Sequence, residues 1–263
     1  MRLAVAQPPA ELDGVRARMG WLSDALPGIV AKGADLVLLP ELFACGYNIG
    51  AHVSDQAEPR DGPTLATLSR LASAHGLAIH CGYAERENGQ VYNAALCIGP
   101  GGQILGQHRK LAIPPGFERA QFSAGAGCQL FEWAGFRIAT LICYDAEFPE
   151  TVRHVSGLGA ELVLVPTALG AEWGWVAERM IPTRAYENGV YLAYANSAGV
   201  ENGLHYLGQS VIAAPNGTEA ARAGDRPEIL FADLDKARIK AAQARLPYLR
   251  DRGQIRLDSP LQD

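Results

Sequence analysis

Ala139-Thr140-Leu141-Ile142-Cys143-Tyr144-Asp145-Ala146-Glu147-Phe148-Pro149-Glu150 passes from apolar to polar within a few residues and turns at a cysteine. The apolar half reads as a buried strand. Pro149 reads as the first turn of a helix, where a missing N–H costs little. Cys143 is thereby placed at the carboxyl end of a strand, just ahead of a helix N-terminus. A helix dipole at that point favours thiolate, and open backbone N–H groups there can hold an oxyanion. Cys143 is a candidate nucleophile on these grounds. A free cysteine is more commonly a small buried hydrophobe, so the assignment depends on partners elsewhere in the chain.

Outward from this turn the same pattern recurs. After it come a helix over about 147–158, a buried strand over 162–166, a helix over 175–188 closed by Gly189, and strands over 191–196 and 208–213. Just before it, 131–133 and 136–142 read as strands joined by Ala134-Gly135. Near the N-terminus, 3–7 is a short buried strand stopped by Pro8-Pro9. Val15, Met19, Leu22, Leu26 and Ile29 then recur at helical spacing to about residue 32, with Pro27 as a kink point. A strand over 36–40 and a helix over 64–74 follow. Three strands, 77–83, 91–98 and 104–110, come next, the first two joined by the hairpin turn Glu87-Asn88-Gly89. Residues 112–127, rich in Pro, Gly and polar groups, read as a long loop of the kind that often carries function. A strand over 228–233, a helix over 234–246 and a polar tail from Pro247 complete the chain. Strand, helix, strand, helix and paired strands thus occur twice. The pattern predicts an α/β fold of sheets covered by helices, in a single domain over 1–263 with no linker and no repeat of fixed period.

Composition narrows the function. With 263 residues, 48% hydrophobic and 19% charged, the chain has enough apolar residues for a sizeable core. A net charge of −5 offers nothing to nucleic acid or an anionic membrane. The N-terminus enters a strand without a long apolar stretch, so no signal peptide or membrane span is expected. The five cysteines show no CxxC or zinc-finger spacing, which fits a reducing cytoplasm better than a disulfide framework or a structural zinc site.

Two other polar residues share Cys143's setting. Glu41 follows the strand at 36–40 and Lys110 ends the strand at 104–110. If the strands share one sheet edge, the three side chains converge where α/β sheets place ligands. A thiol needs a base at neutral pH, and a carboxylate of raised pKa can serve. A lysine can hold the oxyanion that attack creates. Separately, each residue has a plainer explanation: Glu41 as a cap or loop residue, His108-Arg109-Lys110 as an exposed basic turn.

Together they resemble a known family. Pro40-Glu41-Leu42-Phe43 with Gly46-Tyr47, Arg109-Lys110-Leu111 with Pro114, and Ile142-Cys143-Tyr144-Asp145 with Phe148-Pro149-Glu150 are similar, in order and spacing, to the three signature blocks of the nitrilase superfamily of carbon–nitrogen hydrolases. Glu118 with Phe122 and Gly125 resembles the segment bearing that family's second glutamate, and further likenesses run from Leu3 to about Arg252. The resemblance implies a four-layer αββα sandwich, a homodimer or higher homo-oligomer across which the sandwich continues, and a tail on the surface or at that interface. It implies a Glu41–Lys110–Cys143 triad with Glu118 nearby, the Tyr144 backbone N–H as a second oxyanion donor, and neither metal nor organic cofactor. Tyr144-Asp145 followed by Glu147-Phe148-Pro149-Glu150 looks like the amidase branch, where true nitrilases typically carry Trp-Glu after the cysteine. The expected reaction is therefore hydrolysis of a small-molecule primary amide through a thioester, with a nitrile or N-carbamoyl substrate as the alternative on the same triad. Tyr47, Glu118, Tyr144, Ala168, Trp173 and Trp175 are the pocket candidates, and core packing is the plainer explanation of both tryptophans.

Other readings compete. A papain-like enzyme needs a histidine beside Cys143, and His154, eleven residues on, falls along the next helix. Cys45 also follows a strand near Glu41 but has no helix start behind it. Gly208-Gln209-Ser210-Val211-Ile212 lacks the second glycine of a nucleophile elbow, and there is neither a P-loop nor a dinucleotide fingerprint. A catalytically silent binding protein on the same fold is the remaining alternative.

Overall fold

Continuous apolar runs set the architecture, because strands buried on both faces leave no polar side to show water. The computed structural model describes residues 1–255. In its first half, β1 (Arg2–Gln7), α1 (Gly14–Ala31), β2 (Leu36–Leu38), the short α2 (His52–Asp55), α3 (Pro63–His75), β3 (Ala78–Glu87), β4 (Gln90–Ile98) and β5 (Ile104–Arg109) follow in order. Then come α4 (Phe117–Gln121), β6 (Leu130–Trp133), β7 (Phe136–Thr140), α5 (Pro149–Gly157), β8 (Leu162–Pro166), α6 (Ile181–Asn188) and β9 (Tyr191–Ala195). The last stretch holds β10 (Ala198–Glu201), β11 (Leu204–Leu207), β12 (Val211–Ala213), β13 (Glu219–Arg222), β14 (Glu228–Asp233), α7 (Lys236–Arg245) and α8 (Tyr248–Asp251).

Two six-stranded sheets result, ordered β14-β1-β2-β3-β4-β5 and β13-β12-β9-β8-β7-β6. Each has three adjacent parallel strands, β1-β2-β3 in one and β7-β8-β9 in the other, with antiparallel neighbours outside them. The twofold pattern in the sequence is thus a pair of matching sheets. They pack face to face. Leu3, Val5, Leu36 and Leu38 of the first share one core with Ile138, Leu162, Leu164 and Tyr191 of the second. The alternate residues point outward: Ala4, Val37 and Ile79 meet Leu22, Leu26 and Leu68 of α1 and α3, and Val163 and Leu192 meet Val155 and Ile181 of α5 and α6. Each fully buried Leu contributes about 2 kcal/mol of hydrophobic free energy. The four layers are helix, sheet, sheet, helix, the expected αββα sandwich. Among the described residues no helix is long and apolar enough to cross a membrane.

Several local expectations are corrected. The loop over 112–127 contains α4. The helix expected over 175–188 begins as a wide π-type turn, Val176–Met180, before α6. The β10–β11 hairpin and β13 were not foreseen, being short and only partly apolar. The tail from Pro247 to Ile255 lies on the surface, with the Tyr248 ring edge-on to Tyr186 at 6.1 Å; the rest of the expected tail, 256–263, lies outside the described residues.

Candidate active site

Glu41, Lys110 and Cys143 do not share one sheet edge. Glu41 follows β2 and Lys110 follows β5, both of the first sheet, whereas Cys143 follows β7 of the second. β2 and β5 run in the same direction, since β3 is parallel to β2 and two antiparallel pairings lead from β3 to β5. Their carboxyl ends meet the end of β7 where the two sheets abut. The site is therefore a junction between sheets.

The cysteine turn is tighter than its sequence suggests. β7 ends at Thr140, and residues Cys143–Glu147 form one 3₁₀ turn ahead of α5. Cys143 itself has φ 47°. A non-glycine residue there is sterically unfavourable and needs surrounding structure to hold it. Asp145 supplies that hold. It is fully buried, and its Oδ2 accepts from the Ile142 N–H at 3.0 Å and from His108 Nε2 at 3.0 Å. Its Oδ1 accepts from the N–H groups of Leu111 (3.0 Å) and Ala112 (2.8 Å). One carboxylate thus ties the Cys143 turn to the segment just past Lys110.

The Glu41 and Lys110 side chains are wholly enclosed. Lys110 Nζ donates to Glu41 Oε1 at 2.7 Å and lies 2.8 Å from both oxygens of Glu118. Asn93 Nδ2 donates to Glu41 Oε1 at 2.7 Å and reaches Glu118 Oε2 at 3.3 Å. The Tyr47 hydroxyl donates to Glu118 Oε1 at 2.7 Å. Glu41 Oε2 is buried and has no hydrogen-bond partner among the described residues. Gly82 in β3 makes room for the Glu41 turn: a Cβ there would stand 2.5 Å from Leu42 N and 2.6 Å from Pro40 O.

Electrostatics follow from this enclosure. Burial pushes the Glu41 carboxyl up to about 7; Lys110 opposes the rise and Glu118 adds to it. Burial by itself lowers the pKa of Lys110, but the carboxylates of Glu41 and Glu118 outweigh it and hold the ammonium charged. Burial and then Glu41 push the Cys143 thiol up, against Lys110 and a favourable contact from the Thr167 side chain. The thiol form is thereby favoured, and Cys143 needs a base to become a thiolate. The first turn behind it is a single 3₁₀ turn, and α5 begins only at Pro149.

The remaining sequence candidates fall in two groups. Tyr47 and Glu118 join the buried cluster. Tyr144 packs edge-on against Phe148 at 4.9 Å, and Ala168, just past β8, is partly buried. Trp173 and Trp175 are 58% and 71% exposed, so core packing does not explain them. His154 is exposed on α5, and Cys45 is buried and bonded to the Leu42 and Gly46 carbonyls. His108 and Lys110 are buried, and Arg109 alone turns outward to Glu85 at 2.7 Å, so this segment is not an exposed basic turn. Asn93 was missed by sequence reasoning, although a lone amide inside the apolar stretch Val91–Ile98 signals a buried polar partner.

Comparisons with known proteins place the chain in a family. Residues 2–244 match the family model described as Carbon-nitrogen hydrolase. A protein described as "Hydrolase in pqqF 5'region" from Pseudomonas protegens is 42% identical over 256 residues, covering 96% of this chain and 89% of that one. An (R)-stereoselective amidase of Pseudomonas sp. is 36% identical over 223 residues, covering 84% and 81%. A solved variant of the Nesterenkonia sp. AN1 amidase, showing Michael addition of acrylamide at its active-site cysteine, superposes with TM-score 0.81 at 31% identity, covering 97% of this chain and 100% of that one.

Proposed function

We propose that this chain, which belongs to the carbon–nitrogen hydrolase family, hydrolyses a primary amide to a carboxylic acid and ammonia through a thioester on Cys143. The observation that carries the reading is the division between the two oxygens of Glu41. Oε1 is held by Lys110 and Asn93, while Oε2 is buried and unpaired among the described residues. An unpaired carboxylate oxygen with a pKa near 7 is suited to take a proton from a thiol that burial keeps protonated.

Glu41 removes the Cys143 proton as Sγ attacks the amide carbonyl carbon. The oxyanion formed is held by Lys110 and the backbone N–H of Tyr144. Lys110 Nζ contacts both oxygens of Glu118 at 2.8 Å, so it can surrender one to the oxyanion and keep the other. The C–N bond breaks as Glu41 returns its proton to the nitrogen, and ammonia leaves. Water then attacks the thioester carbonyl, giving a proton to Glu41 that returns to the departing sulfur. Glu118, held by Tyr47, Asn93 and Lys110, positions that water. Tyr144, Ala168 and Trp173 line the approach to the cysteine in this reading.

The working unit we infer is one hydrolase domain in a cytoplasmic homodimer. Five free cysteines support a reducing compartment, and the exposure of Phe148, Trp173 and Trp175 supports a covered face. Ammonia release over primary amides, ω-amides, nitriles and N-carbamoyl compounds, run beside Cys143→Ala, tests the function. Release from amides should fall at least about a thousandfold in the variant. Release that survives the substitution refutes the mechanism, and release from nitriles alone replaces the amide reading.

A further inference from the structure

Tyr47 holds Glu118, but Tyr47 stands on a loop, and a loop needs an anchor of its own. The anchor comes from a distant element. Glu201, at the end of β10, is buried, and its Oε2 accepts from the N–H of Asn48 (2.7 Å), the N–H of Tyr47 (3.2 Å) and the hydroxyl of Tyr206 (2.6 Å). Its Oε1 accepts from Arg18 Nη2 of α1 at 2.6 Å. Asn48 Nδ2 donates to the Glu201 carbonyl at 3.0 Å, and Asn202 Nδ2 returns a bond to the Asn48 carbonyl at 2.9 Å. Gly46, at φ 101°, passes so close that a Cβ would stand 2.5 Å from Glu201 Oε1.

A buried ion pair is a poor way to gain stability, because its desolvation offsets most of its attraction. What this one supplies is direction. Two consecutive backbone N–H groups of the loop point at one carboxylate oxygen, which fixes where the Tyr47 ring leaves the loop. Glu118 Oε1 receives both the Tyr47 hydroxyl and Lys110 Nζ, so a displaced loop displaces the lysine's partner. We propose that Glu201, neutralised by Arg18, is a positioning residue for the reaction, setting the Tyr47 hydroxyl against Glu118 and through it the place of Lys110. The inference rests on the amide-hydrolysis reading above.

The test is a double-mutant cycle in the full chain with a primary amide as substrate. Glu201→Gln should lower kcat by about tenfold or more with KM changed less than about threefold. In a Tyr47→Phe background, where the hydroxyl is already gone, the same substitution should cost less than about twofold further. A merely structural role for Glu201 gives equal losses in both backgrounds, and that result overturns the inference. Should Glu201→Gln fail to fold, Tyr206→Phe removes one donor from the same oxygen without unpairing Arg18. It should lower kcat about threefold in the native background and not in Tyr47→Phe, and equal losses again overturn the inference. A native chain releasing ammonia in a Cys143-dependent way while the losses are additive sinks the inference alone. A native chain releasing none from any amide sinks both it and the reading beneath it.

Discussion

Asp145→Asn is the substitution that most directly probes how the site is held. Asn is isosteric, but one of its two terminal groups donates instead of accepting. Asp145 Oδ1 serves Leu111 and Ala112, and Oδ2 serves Ile142 and His108. The less costly orientation keeps the oxygen toward Leu111 and Ala112 and turns the NH2 toward the other pair. His108 can adapt, since its Nδ1 has no partner among the described residues; moving its proton there lets Nε2 accept from the new amide. The Ile142 N–H cannot adapt and is left buried and unpaired, at about 1–3 kcal/mol. The surviving bonds also lose their charge, for about 1 kcal/mol each at most. The sum is about 3–5 kcal/mol out of the 5–15 typical of a whole domain. Urea unfolding at neutral pH should therefore show a midpoint lowered by about 1 M or more. Because the orphaned N–H belongs to the residue before Cys143, kcat should fall by about a hundredfold even where the fold persists. A midpoint within about 0.3 M of the native chain, or kcat within about twofold, would refute the assignment of Asp145 as the tie.

Other outcomes follow from Glu41 and Gly82. The base form of Glu41 is lost as pH falls through about 7, so kcat/KM for an amide should drop about tenfold per unit below that value; an acid limb near the ordinary 4.5 removes Glu41 from the role. Because its folded pKa lies above the unfolded one, the stability contributed by protonated Glu41 is present below about 4.5 and lost as pH rises to about 7. Glu41→Gln should abolish that loss, of roughly 3 kcal/mol, so the native and variant unfolding free energies should diverge as pH rises from about 4.5 to about 7; parallel curves contradict the raised pKa. Gly82→Ala should destabilise by about 1–3 kcal/mol and lower kcat by about tenfold or more, because backbone on the facing turn cannot move aside as a side chain can. Thermal unfolding and ammonia release unchanged from the native chain would show that the Glu41 turn tolerates displacement.

Much of this was legible in the sequence because it lies in short-range patterns. The short apolar runs at 36–39 and 162–165, each closed by a proline, read as doubly buried strands, and they fall where β2 and β8 lie. Turn chemistry fixed the hairpins: Asn88-Gly89 and Ala134-Gly135 both carry positive φ in succession. Glu41, Lys110 and Cys143 were singled out because each follows a strand and the three recur in a family-like order. What was not legible depends on long-range partners. Nothing local marks Arg18 as paired with Glu201, 183 positions away, and nothing in His108-Arg109-Lys110 says which residues face inward until the sheet's pairing is known. How far the Cys143 thiol is pushed up could not be read from the turn, because burial, a property of the whole fold, outweighs the local geometry.

The junction between sheets explains why polar ties cluster here. Glu41 and Lys110 follow strands of one sheet and Cys143 follows a strand of the other. Apolar packing holds two sheets together but is non-directional, and a misplacement of about 1 Å can cost a hundredfold in rate. Directional bonds are what remove the freedom to slide. The Glu41 N–H donates to the Thr167 carbonyl at 3.3 Å, joining the base's turn to the end of β8. His80 of β3 and Thr140 of β7 share a bond of 2.9 Å between buried side chains. Asp145 ties the cysteine turn to Leu111, Ala112 and His108. All three ties run from the first sheet's side to the second's beside or beneath the reacting atoms, and none involves Tyr144, Ala168 or Trp173. Under the proposed mechanism, substitutions at those three positions should change which amide is accepted while leaving the pH limb set by Glu41 in place.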